Sequence, residues 1–536
     1  MDVIDTAVEQ GLHITSRSDL SRQTWEDFER EALGNSVILA GAGACAGCYF
    51  ERYGNSVMLD GVVDNSSQKQ GFYADDFIPE AFGIERSKIK IDDFSLFDSY
   101  KADQTVVLIA STNYYEKIAE DLEKKGISKF FVLLIMEANR RAIMAEKNVG
   151  TVSSSISKVK FAKECCEKEQ IGKKKVFFKA YADYADHGKY ITEALLKIRN
   201  DLDIVWAVND LRTEVPRGVR KIYEKNWKRL IYEMETSRIW VLDLAAPEYI
   251  KKRAGQIYLQ TKHWASITLK KFYLDADTFK CVPEKLELWK KDGQMIDHII
   301  TGSDFDTESC RRGFGFYGEV LKYGSPRSDA LFNEQINREK VYQYFHLGRG
   351  KKTVIYAPTY RFDRRKGKGF HESRNISLDF QMVKRSLEKR FGGEWYIFMR
   401  LHPSVATDFE KEEKPEYVID ASLYGDSQEL VSAADVMISD YSSIIFESSF
   451  VKKPVFLFAT DLREYLANEY DLLIPYKSLP FPIAESNAEL EQCIREFDTE
   501  TYMSRVQGFL DHYGVQEDGH ASERTAEFIS GWISAE

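Results

Sequence analysis

The sequence is short of long apolar runs, and that sets the first limit on what it can be. Its longest uninterrupted stretch, Phe130 to Met136, is far below the roughly 20 residues that a bilayer-spanning helix requires. Basic charge is also in short supply: 74 Lys and Arg face 85 Asp and Glu, for a formal net charge of -11. A broadly nucleic-acid-binding surface displaces counterions from phosphates and needs the opposite balance. Bulk attraction to anionic lipid is excluded on the same ground, although a local basic patch is not. Seven cysteines in 536 residues are too few, and odd in number, for a disulfide framework. The first ten residues carry three acids and no basic residue, unlike a secretory leader. Internal repeats, low-complexity tracts and metal-ligand spacings are missing as well. These absences lead us to expect a cytoplasmic protein that needs no metal or cofactor.

What is present is an alternation of apolar strands and helical spacers. The length implies about three to four domains, and the alternation implies parallel, doubly wound sheets. After a polar helical preamble over 1–34, strands are expected at Val37–Ala40, Leu59–Val63, Thr105–Ala110 and Phe130–Ile135. A helical linker is expected over 151–173, within a strandless stretch that begins near 141. A second block starts at Lys175–Phe178 and continues through Ile204–Val208, Ile239–Leu242 and Gln256–Gln260. A third opens at Lys352–Tyr356, with further strands at Trp395–Arg400, Val436–Ser439 and Pro454–Phe458. The boundaries we expect are 1–150, 151–173, 174–335 and 336–536.

The first strand runs into Gly41-Ala42-Gly43-Ala44-Cys45-Ala46-Gly47, and Asp64 ends the next strand. Glycines there let a backbone approach a pyrophosphate at a helix start, and the acid can accept ribose hydroxyls. Gly41, Gly43, Gly47 and Asp64 are thus candidates for nucleotide binding. A turn that binds nothing, a sugar-nucleotide site and a nicotinamide site all remain open. Cys45 and Cys48 have redox-motif spacing, but inside a glycine turn we read it as accidental.

The residues richest in chemistry lie after position 255, in five segments at strand ends or loops. They are Gln260 to Trp264, Tyr323 to Asp329, Tyr356 to Arg361, Arg400 to Pro403 and Ser439 to Glu447. In the last, Ser442 and Ser443 stand at a helix start, where hydroxyls and free amides converge and the helix dipole favours an anion. Glu447, about one turn on, is placed to hold polyol or sugar hydroxyls. Plain helix capping would account for the serines alone. Arg400 and His402 alternate with Leu401 and can project to one side as phosphate ligands. Arg327, Thr359 and Arg361 also end strands or turns, and several cations together are costly without an anion. His263, with Trp264 beside it, is the candidate base on an attacking hydroxyl.

With these residues in view, 174–500 resembles the CDP-glycerol glycerophosphotransferase family, which builds teichoic-acid-like and capsular polyol-phosphate polymers. The segments containing Arg327, Arg361, His402 and Glu447 match in order, and Asp461-Leu462-Arg463-Glu464-Tyr465 is similar to a later family motif. The resemblance implies a GT-B fold, two facing Rossmann-like domains, here behind an additional Rossmann-like one. It implies His263 as base and His402 as a second candidate catalytic histidine. Arg327, Thr359, Arg361, Arg400, His402, Ser442, Ser443 and Glu447 fall at or beside donor-binding positions. The implied partners are a CDP-polyol donor and a polyol-phosphate, glycan or lipid-linked acceptor, with peripheral contact at the inner membrane face. Two departures bear on the acceptor. Thr261 to Lys270 is longer than the family's Thr-Trp-His-Gly-Thr-Pro-Leu-Lys and lacks its Gly and Pro. Asp186-His187-Gly188 stands where the family has Asp-Asn-Pro. A glycosyltransferase using a nucleotide sugar, or a bifunctional protein with a nicotinamide-dependent front domain, are the alternative readings.

Overall fold

The computed structural model describes residues 20–146, 154–276, 283–359, 362–363, 368–369, 377–401, 414–468 and 472–534. The chain forms two compact units. One comprises Met1–Phe177, Asp203–Arg238 and Tyr249–Gln256; the other comprises Phe178–Leu202, Ile239–Glu248 and Ile257–Glu536.

In the first unit, β1 (Ser36–Ala40), β2 (Gly61–Val63), β3 (Ile91–Asp92), β4 (Thr105–Ile109) and β5 (Phe130–Val132) form an all-parallel sheet. Its order is β3-β2-β1-β4-β5. The apolar run after Lys129 is strand only to Val132, because a helix over Leu133–Glu146 starts at the next residue. Gly41 follows β1 with φ +112°, and a Cβ there would stand 2.5 Å from the Ala110 carbonyl oxygen. Glycine is therefore required by the close passage of two strand ends.

The carboxylate of Asp64 accepts from the amides of Ala42 (2.7 Å) and Ser66 (2.8 Å) and pairs with Lys69 at 3.0 Å. It closes its own turn rather than standing open for a ribose. The Glu80 side chain lies where a Cβ on Gly47 would have to go, and Lys69 Nζ lies 3.9 Å from the corresponding point on Gly43. Further along, β6 (Gly172–Lys179) precedes β7 (Asp203–Val208) and β8 (Val219–Tyr223), which pair in parallel. The following helix, Trp227–Glu235, is held to the front sheet's loops. Asn226 donates to the Asp75 carbonyl at 2.8 Å and Arg229 pairs with Asp76 at 2.8 Å.

In the second unit, β9 (Ser237–Leu242), β10 (Ile257–Gln260), β11 (His298–Ile300) and β12 (Glu319–Leu321) run in parallel in that order. A larger sheet contains β13 (Lys352–Ala357), beyond which β14 (Phe362–Asp363) and β15 (Lys368–Gly369) make a small hairpin. It continues with β16 (Trp395–Met399), β17 (Val418–Asp420), β18 (Val436–Ser439), β19 (Val455–Phe458) and β20 (Ile483–Ala484). The order is β17-β16-β13-β18-β19-β20, all parallel. β13 and β18 are buried almost throughout, which fits their continuous apolar sequences and central place.

Successive strands leave β13 in opposite directions, β16 on one side and β18 on the other. The crevice between the carboxyl ends of β13 and β18 is a topological switch point, where open α/β sheets accept ligands. The last helix, Ala521–Ser534, does not stay with this sheet. It packs on the helix Asp186–Ile198 and on the turn Pro326–Phe332, and Asp329 caps it by accepting from the amides of Ala521 and Ser522. Among the described residues no helix is long and apolar enough to cross a membrane.

Candidate functional site

The turn after β18 is built by its own polar groups. Ser439 Oγ donates to the Ala357 carbonyl at 2.6 Å, joining the ends of β18 and β13. Asp440 Oδ1 accepts from the amides of Thr359 (2.8 Å) and Tyr441 (2.6 Å), which fixes Thr359 at the crevice. Tyr441 stacks on Tyr465 with centroids 3.7 Å apart and donates to Asp461 at 2.7 Å. The segment from Asp461 to Tyr465 thus braces this turn. Ser443 precedes the helix Ile444–Phe450 without capping it by its side chain. Its hydroxyl instead accepts from the Leu269 amide at 3.1 Å and lies 3.4 Å from Thr268 Oγ1. Ser442 Oγ accepts from the Ile444 amide at 3.4 Å. The two serines therefore differ in use, one shaping the helix start and the other holding the loop after His263.

Glu447 is buried and bound on both oxygens. Arg327 Nη2 lies 2.9 Å from Oε1, and Gln428 donates to Oε2 at 3.0 Å. Arg327 also reaches the other way, with Nη1 2.6 Å from Asp186 Oδ2 and 3.1 Å from the His263 carbonyl. A chain of alternating charge results, Asp186–Arg327–Glu447, with Asp186 half-buried, Arg327 only 8% exposed and Glu447 2%. Burial opposes the charge on Asp186, but Arg327 and the His187 amide hold the carboxyl below its ordinary range. For Glu447 burial prevails over Arg327 and Gln428, and the pKa is raised. Asp186 opens its helix at φ +55°, a left-handed conformation uncommon for a non-glycine residue. It is held there by neighbours that over-determine it.

His263 stands above this chain. The residue is exposed to solvent, and Tyr181 stacks on its ring at 6.4 Å while Trp264 meets it edge-on at 5.1 Å. The protein packed around the imidazole lowers its pKa; Asp186 works against that shift and Arg327 with it. The backbone of Asp243 also works against the shift.

Beneath it, Lys262 is fully buried at φ +56°. Its ammonium uses all three donors, on Asp306 Oδ2 (3.1 Å) and the carbonyls of Trp264 and Ala265 (3.2 Å each). Trp264 Nε1 donates to Asp306 Oδ1 at 3.0 Å. Buried His187, with its pKa pushed down to about 3 by burial, is neutral. Its Nε2 lies 3.0 Å from the Trp264 carbonyl and its Nδ1 accepts from the Arg327 amide at 3.4 Å. The loop carrying the candidate base thus rests on a satisfied buried ion pair, not on solvated polar residues.

Of the residues singled out in the sequence, His263, Arg327, Ser443 and Glu447 come together here, and Thr359 and Ser442 line the crevice between β13 and β18. Arg361 and His402 lie outside the described residues. Arg400 differs from expectation. Its Nη1 donates to the carbonyls of Ala421 (2.8 Å), Ser422 (3.1 Å) and Tyr424 (2.5 Å). Burial lowers its pKa despite Asp426 and Asp420 nearby. That nitrogen ties the turn after β17 to β16. Gly41, Gly43, Gly47 and Asp64 belong to the first unit and form the self-closed turn described above.

Residues to which the sequence reading gave no site role include Asp186, His187, Lys262, Asp306, Gln428 and Asp426. Asp426 accepts from Lys189 (2.6 Å) and Tyr190 (2.8 Å) and caps the helix Ser427–Ala433. The one available signal was the acid in Asp186-His187-Gly188, immediately before a helical pattern.

Residues 162–531 match the model of the CDP-Glycerol:Poly(glycerophosphate) glycerophosphotransferase family. The chain belongs to that family. A teichoic acid poly(glycerol phosphate) polymerase of Staphylococcus epidermidis is 26% identical over 378 residues, covering 68% of this chain and 51% of that protein. The chain therefore spans about half the length of this relative. A teichoic acid ribitol-phosphate polymerase, TarK, of Staphylococcus aureus is 31% identical over 356 residues, 63% of this chain and 64% of that one. Among solved structures, that of the wall teichoic acid polymerase TagF superposes with a TM-score of 0.62 at 24% identity, over 70% of this chain and 94% of that chain. This likeness extends to the fold.

Proposed function

We propose that this protein transfers glycerol phosphate, or a related polyol phosphate, from a CDP-activated donor to a hydroxyl of a cell-surface polymer or its lipid-linked precursor. The observation that carries the reading is the juxtaposition of an exposed His263 with the Asp186–Arg327–Glu447 chain, in a member of this family. The acceptor oxygen attacks the phosphorus that bears the polyol, a new P–O bond forms, and the bond to CMP breaks. His263 takes the hydroxyl proton on a ring nitrogen. The donor's diphosphate lies in the crevice between β13 and β18, against Thr359, Ser442 and the first amides of the helix Ile444–Phe450. Arg361 and His402 keep their expected donor-side places in this reading.

Little covalent work falls to the protein in phosphoryl transfer, so positioning and charge stabilisation dominate. Loss of one preorganised donor costs about 2.7–4 kcal/mol, against about 0.3–1 kcal/mol for an exposed helix terminus. Arg400 acts through the turn it holds.

In this reading 174–335 form the acceptor-side domain and 336–536 the CDP-donor domain of a GT-B pair. Residues 1–150 form a Rossmann-like domain in front, joined by the linker 151–173. Because Asp64 is bound into its own turn, the front domain serves as scaffold. A lipid-linked acceptor calls for peripheral contact with the inner face of the membrane. Incubation with CDP-glycerol, CDP-ribitol and UDP-sugars tests the reading: CMP should appear from a CDP-polyol, and UDP release from a sugar nucleotide alone would overturn it.

A further inference from the structure

The segment that follows Tyr476 and the helix Thr499–His512 border a groove of about 370 Å³. Lys477, Ser478, Arg505, Phe509, His512 and Tyr513 are among the residues that line it. The three basic residues are exposed. Among the described residues none of their side chains makes an ion pair or a hydrogen bond. A lysine and an arginine with no ion pair among the described residues, and a histidine beside them, are unusual in one groove of a chain of net charge -11. They form a local attractive field.

We propose that this groove binds the phosphates of the growing polyol-phosphate chain, as an acceptor-holding site separate from the reaction centre. The inference rests on the proposed function for the identity of the polymer. The composition of the lining selects an extended phosphodiester over a single anion. Lys477 and Arg505 suit the phosphate charges, and Phe509 and Tyr513 beside them suit the methylene and methine carbons between those charges.

The groove is also physically continuous with the turn that carries Ser442. Phe509 stacks on Phe446 of the helix Ile444–Phe450, with centroids 5.8 Å apart and planes 8° from parallel. Tyr476, next to Lys477, donates its hydroxyl to the Asp440 carbonyl at 3.0 Å. Charge held in the groove is thus held by the same framework that places the turn after β18.

The test is direct binding of a labelled, soluble glycerol-phosphate oligomer to the whole protein by fluorescence anisotropy, with no donor present. Wild type is compared with the double variant Lys477→Glu, Arg505→Glu. Both positions are exposed, so folding should survive, and a melting curve checks it. The expected result is binding weakened by about tenfold or more in the variant, as when charge-assisted contacts are removed, and binding that falls with salt in the wild type. CMP release onto a short acceptor should be unchanged, because neither residue belongs to the reaction centre. Equal oligomer binding by both proteins would overturn the proposal. So would loss in the variant of binding to phosphatidylglycerol vesicles while oligomer binding stays the same, which would make the groove a membrane contact. If neither protein released CMP but the oligomer bound in the charge-dependent way, the transfer reading would fail and the groove would stand.

Discussion

Arg327 carries more of the site than any other residue, because it pairs with both half-buried Asp186 and buried Glu447. Removing one partner of such a group leaves charge uncompensated, at a cost of about 3–5 kcal/mol. Arg327→Ala should therefore lower the denaturation midpoint of the protein as well as abolish CMP release. Retained stability would mean that Asp186 and Glu447 are solvated or protonated.

Glu517 makes a second prediction at this scale. Its carboxyl receives the Ser266 hydroxyl and the Ser325 amide. It thereby links the loop after His263 to the turn before Arg327, and burial pushes its pKa up to about 8. A pKa raised on folding means a contribution that is full below the unfolded value near 4.5 and is lost as pH rises toward 8, by at most about 1.4 kcal/mol per unit. Asp329 on the same side adds to the upward shift. Thermal melts from pH 5 to 9 should show wild type losing stability relative to Glu517→Gln over that window. Parallel curves would contradict the assignment.

At the scale of elements, the strand ends do the positioning. Arg400 is fastened to three carbonyls of the turn after β17, so Arg400→Ala should lower the melting temperature together with turnover. A pure donor ligand would lower turnover alone. Gly41, at φ +112° against the Ala110 carbonyl, should destabilise the first unit by more than about 1 kcal/mol on Gly41→Ala. Limited proteolysis of that unit reads the loss.

The sequence made the long buried strands legible, because β1, β4, β13, β16, β18 and β19 are continuous apolar runs. It did not reveal β8, β11, β12, β17 or β20, which are two to five residues long and too short for a periodic signal. The apolar run from Phe130 read as a six-residue strand for the same reason: a buried strand and the start of a buried helix look alike. His263 and Glu447 were legible as polar residues at strand and helix boundaries. Lys262, Asp306 and Asp186 were not, since a buried ion pair between distant segments leaves no local pattern. The carbonyl contacts of Arg400 were hidden likewise, because only the tertiary fold brings the turn after β17 to the end of β16.

At the scale of the whole molecule, membership of the family, the parallel sheets and the crevice at a switch point converge on one chemistry. In the reaction we propose, an imidazole at the surface accepts a proton above the Asp186–Arg327–Glu447 chain, and the groove lined by Lys477 and Arg505 holds the polymer. The most direct test is the initial rate of CMP release from CDP-glycerol in the presence of a glycerol-phosphate acceptor, for wild type and for folded His263→Ala. A general base of this kind contributes about 10²–10⁴-fold. The account predicts a loss in that range with the melting temperature preserved; near-normal turnover by the variant would contradict it.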